Sequence, residues 1–192
     1  MQVGRSEVQL PDDVLEYPSV IHALDFAGDH APDRIALVCG SRAIDYAGYR
    51  RAVGGMAAMI LEVCKPGDRA AVLMTNSIDM AVALMGAMAA GAQTAPLNPA
   101  LTDRELLPLL GDVDAAVIFC DAGTEQRARE LAKETGIPNV RSAAADFDIW
   151  ALASNPDNRL PDSLPAPDRR AAMFFTGGTT GLPKAALLTH AA

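Results

Sequence analysis

Short apolar, strand-forming runs at residues 35–39, 70–74, 115–120 and 171–175 punctuate this chain, and the segments between the first three carry helical spacing. Strand, helix, strand, helix at this pitch permits few architectures. The runs are continuous and do not alternate with polar residues, the pattern of strands covered on both faces. The expected fold class is therefore α/β: mostly parallel sheets with helices on both faces, assembled from βαβ units.

Local signals bound the helices. Tyr49, Val53, Met56, Ala57 and Ile60 fall on one face of a helix over about 46–64. Gly54 and Gly55 sit inside it, each weakening it by ~1 kcal/mol relative to alanine. Asn76 or Ser77 can cap a second helix, 78–90, with Asp79 in its first turn where a carboxylate meets the positive end. That helix is apolar nearly all round, as suits one covered on several sides. Thr102 and Glu105 form a capping box for a short helix before Gly111, which Pro108 is expected to kink or end. A further helix, about 125–135, stops at Gly136 with Pro138 beyond.

Charge and composition exclude several partners. Lys and Arg number 16 against 24 Asp and Glu, a net charge of −8. A chain held by nucleic acid or an anionic membrane would present a basic face. The longest apolar stretch, 80–92, falls short of the ~20 residues that span a bilayer. Residues 1–18 carry Glu7, Asp12, Asp13 and Glu16 and no apolar block, unlike a secretory signal. These features predict a cytoplasmic protein with no membrane span. Cys39, Cys64 and Cys120 stand at no ligand spacing, so buried or half-buried free thiols in a reducing compartment are expected. His22, His30 and His190 are scattered, and no metal site is read from them. His190 reads as a strand-end histidine satisfied locally. Asp25, Asp29 and Asp33 read as solvated charges.

Four of the thirteen prolines fall within residues 155–168, an expected extended surface connection. The tail after it is too short to fold alone. Its strands must add to the preceding domain or pair with chain absent from this sequence.

The chemistry is concentrated in residues 171–190, AAMFFTGGTTGLPKAALLTH, an apolar strand, a polar loop and a second strand. Three glycines let the backbone turn its N–H groups inward, and three threonine hydroxyls offer adjustable donors. Lys184 adds the point charge that phosphate oxygens require. A simple hairpin turn, usually ~2–5 residues, does not need this set. The Walker pattern fails because no Gly-Lys pair exists, and the dinucleotide fingerprint fails because Gly177 and Gly178 are adjacent and no helix follows.

The run 176–184, TGGTTGLPK, resembles the signature phosphate loop of the adenylate-forming, AMP-dependent synthetase/ligase superfamily, whose usual form is [ST]-[SG]-G-[ST]-T-G-x-P-K-G. Residues 43–64 with Tyr46, the KPGDR run 65–69 leading into 70–76, and GAQTAPLNPALT at 91–102 resemble further segments of that superfamily in order. The likeness runs from about residue 35 to the last residue. One position departs: Ala185 stands where the superfamily usually has glycine.

The resemblance implies the incomplete N-terminal adenylation domain, residues 1–192, of an acid–thiol ligase most like an acyl-CoA synthetase. Such an enzyme joins a carboxylic acid to ATP with Mg²⁺, releases pyrophosphate, and passes the acyl group to a thiol, either CoA, toward which the loop leans, or a carrier-protein arm. Thr176, Gly177, Gly178, Thr179, Thr180, Gly181 and Lys184 would then hold the β- and γ-phosphates. The catalytic lysine, acyl pocket and C-terminal domain belong to later sequence, so no catalytic residue is assigned here and the chain alone is expected to be inactive. The remainder of the same enzyme is an implied partner. Two other functions compete: a non-catalytic binding or partner fragment, either half of a split enzyme or a remnant, and a nicotinamide-dependent oxidoreductase suggested by the βαβ alternation alone.

Overall fold

The computed structural model describes residues 17–176 and 184–191. Capping residues set most helix starts. Ser19 caps α1 (Val20–His30) by accepting from the His22 N–H, and Asp45 caps α2 (Tyr46–Leu61) by accepting from the Gly48 N–H at 2.6 Å. Ser77 caps α3 (Ile78–Ala89), and Gly136 ends α5 (Glu125–Thr135) at φ 75°. The remaining helices are α4 (Asp103–Val113) and the short α6 (Ile149–Ser154).

The central sheet has six strands: β3 (Arg69–Leu73), β4 (Gln93–Pro96), β5 (Val117–Cys120), β6 (Asn139–Ser142), β7 (Arg170–Thr176) and β8 (Lys184–Thr189). Their order is β6-β5-β3-β4-β7-β8, parallel throughout except for the antiparallel β7–β8 pair. The period-two alternation of strand side chains separates two cores. Ala70, Val72, Val117 and Phe119 face α1, α2 and α3, while Ala71, Leu73, Ile118 and Cys120 face α4 and α5. The tail therefore adds to the preceding domain, because β7 pairs with β4 through Thr94 and Ala172.

Residues 35–39 do not enter that sheet. They form β1 (Ile35–Cys39), which pairs antiparallel with β2 (Arg42–Asp45) in a separate hairpin closed by Gly40 and Ser41. Ile35 and Val38 are exposed, which a strand covered on both faces would not permit. The Gly-Ser pair between the two runs is a two-residue hairpin connection, and it returns the chain before the first run can join the main sheet. The Arg42 guanidinium lies 4.9 Å from the Trp150 ring centroid and 3.1 Å from Asp79, tying this hairpin to α6 and α3.

Pro108 does not end α4, which runs through Gly111 to Val113. Proline forfeits one backbone bond. Leu106, Leu109, Leu110 and Val113 are nonetheless buried at i, i+3, i+4 and i+7, and that stripe holds the helix on the sheet.

Residues 155–168 carry no helix or strand and run across α2. A Cβ on Gly54 would lie 2.4 Å from the backbone of Arg159, and one on Gly55 2.5 Å from the Asn158 side chain. Glycine at these positions is what lets the connection lie against the helix. Asp25 and Asp29 are likewise not simply solvated: both meet the Arg50 guanidinium, joining α1 to α2. Cys64 and Cys120 are buried, and burial pushes each thiol up to about 11, but Cys39 is exposed.

His190 is 8% exposed, and neither ring nitrogen has a partner among the described residues, so the expected local satisfaction is absent. Desolvation, with His22 nearby adding repulsion, lowers its pKa below 6.5. The unfolded chain therefore takes up this proton first. The contribution of this group is constant above about pH 6.5 and destabilises increasingly as the pH drops below it, until the folded form also titrates. Thermal melts at pH 7.5 and 5.5 should show a drop that His190→Phe reduces by roughly 2–4 °C for each kcal/mol of linkage removed. Equal drops in both proteins would refute this role.

Candidate functional site

The carboxyl ends of β3 and β4 lie side by side, and the helices that follow them leave for opposite faces: α3 packs on one core and α4 on the other. This is a topological switch point, where open α/β sheets bind their ligands. Thr75 and Asn76 leave β3 there, residues 97 and 98 leave β4, and Asp121 leaves β5. The β7–β8 hairpin opens toward the same edge, because β7 runs parallel to β4.

Asp121 organises one side of this edge. The backbone N–H and hydroxyl of Thr75 both donate to its carboxylate at 2.7 Å, and the Thr124 N–H donates at 3.0 Å. Desolvation pushes the Asp121 carboxyl up. The hydrogen bonds from Thr75 and Thr124 outweigh that and hold it below the usual carboxylate range. Thr124 is buried, and its hydroxyl donates to the Leu73 carbonyl at 2.7 Å, fixing the end of β3 as well. Asp121 and Thr124 are three residues apart, but Thr75 lies 46 residues from Asp121 and Leu73 lies 51 from Thr124, so no short motif announces the bonds that tie β3 to this turn.

On the other side, Thr176 and Lys184 face each other as the last register pair of β7 and β8, and the Thr176 hydroxyl donates to the Lys184 carbonyl at 3.2 Å. The two ends of the TGGTTGLPK run are thus brought together at the carboxyl edge. Gly177, Gly178, Thr179, Thr180 and Gly181, expected to bind phosphate, lie outside the described residues. Ala185 pairs with Phe175 inside β8 and has no positive φ, so this position needs no glycine. Lys184 is exposed, and among the described residues no carboxylate stands within ion-pair distance of its ammonium.

Among the described residues, no three His, Cys, Asp or Glu side chains converge to hold a metal ion, and no helix is long and apolar enough to cross a membrane.

Comparison with known proteins gives the family and the fold. A family model described as AMP-binding enzyme matches residues 24–192. A linear gramicidin synthase of Brevibacillus parabrevis is 27% identical over 161 residues, which cover 83% of this chain and 3% of that protein. Fumosorinone synthetase of Cordyceps fumosorosea is 32% identical over 162 residues, 82% of this chain and 4% of that protein. Among solved structures, a Mycobacterium tuberculosis fatty acyl CoA synthetase superposes with a TM-score of 0.78 at 21% identity, covering 90% of this chain and 35% of that one. The last likeness is one of fold. The chain spans about a third of that structure and a small part of the two synthetases.

Proposed function

We propose, from the premise that this chain belongs to the AMP-binding enzyme family over residues 24–192, that it is the N-terminal part of a ligase that adenylates a carboxylic acid. The observation that carries this is the closure of the TGGTTGLPK run by the Thr176–Lys184 pair, at the sheet edge where α/β folds bind ligands. A carboxylate oxygen attacks the α-phosphorus of ATP, the bond to the bridging oxygen breaks, and pyrophosphate leaves carrying the displaced charge. Donors fixed in advance where that charge gathers lower the barrier. Lys184 would supply a point charge there, Thr176 would hold the base of the loop, and Gly177, Gly178, Thr179, Thr180 and Gly181 would line the β- and γ-phosphates.

Mg²⁺ would neutralise triphosphate oxygens in such a reaction. One or two carboxylates with the phosphate oxygens suffice to hold such an ion. The acyl group then passes to a thiol. CoA is the acceptor we favour, on the Thr-Gly-Gly opening and Leu-Pro-Lys close of the loop. A carrier-protein thiol is the alternative that the kinship to a gramicidin synthase supports. A cytoplasmic location suits both ATP supply and three free thiols.

The complete protein should exchange labelled pyrophosphate into ATP only when a cognate acid is present, and residues 1–192 alone should not. Absence of exchange across a broad panel of aliphatic, aromatic and amino acids would overturn the enzyme reading and leave a binding or partner fragment.

A further inference from the structure

The turn between β4 and α4 is held from outside by one residue of another helix. Arg127, on α5, is largely covered, with 26% of its side chain exposed. Its guanidinium donates to the Pro99 carbonyl at 2.7 Å, to the Leu101 carbonyl, and to the Asp103 carboxylate. These are three acceptors within five residues, met by one planar fork. Within the turn itself, the Asn98 side chain accepts from the Ala100 N–H at 2.9 Å, and the Glu105 carboxylate accepts from the Thr102 N–H at 2.7 Å.

That turn borders β7. Thr94 pairs with Ala172. Continuing the same one-for-one register past the end of β4 carries residues 97 and 98 level with Phe175 and Thr176. Leu97 and Leu101 belong to the same apolar cluster as Met173 and Phe175. Phe175 directly precedes Thr176, which pairs with Lys184.

We infer that Arg127 is a positioning residue for the Thr176–Lys184 pair: it fixes the turn at residues 97–103, whose leucines share one apolar cluster with Met173 and Phe175 of β7. It touches neither residue and acts through Leu97, Leu101 and Phe175. The kinetic consequence rests on the adenylation reading above; the mechanical one does not.

Arg127→Gln and Arg127→Lys in the complete protein test both. In the glutamine variant, hydrogen exchange should rise about tenfold at residues 97–102, which Arg127 holds directly, and also in 170–176, to which it makes no hydrogen bond. The KM for ATP in pyrophosphate exchange should rise about fivefold with kcat within about twofold, and lysine, which keeps the charge but not the fork, should recover part of the loss. Should the glutamine variant fail to fold, the lysine variant is read against the same criteria. Faster exchange confined to 97–103, or a lowered melting temperature with unchanged KM, would overturn the inference and leave Arg127 a loop support. If the unaltered protein exchanges no pyrophosphate with any acid, the adenylation reading fails alone, and exchange in 170–176 still decides the positioning claim.

Discussion

Replacing Lys184 with alanine in the complete protein should lower acid-dependent pyrophosphate exchange by about 10²–10³-fold, the loss typical of removing one fixed charge partner from a developing anion. The fold should barely notice. Lys184 opens β8 with its backbone fixed by pairing to Thr176 and its side chain exposed, and surface changes of this kind stay within about 0.5 kcal/mol. A melting temperature equal to that of the unaltered protein therefore separates lost chemistry from lost structure. Arginine at the position should recover only part of the rate, since its broader head replaces a compact ammonium. Exchange within twofold of the unaltered rate in the alanine variant would remove the loop from the catalytic equipment and with it the central claim about function.

The second large effect concerns stability. Gly54→Ala should destabilise the protein by about 1–3 kcal/mol or more, although alanine is the better helix former by ~1 kcal/mol. The new Cβ would fall 2.4 Å from the Arg159 carbonyl carbon and oxygen, backbone atoms that cannot swing aside as a side-chain tip can. Gly111→Ala is the internal control. It also sits within a helix, and a Cβ there meets nothing within 4 Å, so the same substitution should stabilise by about 0.5–1 kcal/mol. Denaturant melts of both variants decide the matter. A stabilised Gly54→Ala would mean that residues 155–168 do not lie against α2 in solution.

The pair also shows where reading the chain by itself stops. Propensity assigns Gly54 and Gly111 the same penalty. Only the segment lying across α2, more than a hundred residues further along, distinguishes a glycine that is required from one that is merely tolerated. Asp25 and Asp29 follow the same logic, since their partner Arg50 is on the next helix and no local spacing announces it. The bonds from Thr75 to Asp121 follow it too, since they join residues 46 positions apart.

What the amino-acid order determined alone was everything whose cause lies within a few residues. Ser77 and Gly136 bound their helices because caps act on backbone groups one turn away. Apolar runs at 70–74 and 115–120 gave the buried strands β3 and β5, whose alternating faces are covered by helices. The tertiary structure decided what depends on distant partners: that residues 35–39 pair with 42–45 outside the main sheet, that β4, with its polar Gln93 and Thr94, lies in the middle of it, and that Thr176 and Lys184 close their loop beside a turn clamped by Arg127. Steric and capping preferences are short-ranged, whereas the burial that selects strand neighbours and salt-bridge partners is settled only when remote segments compete for the same surface.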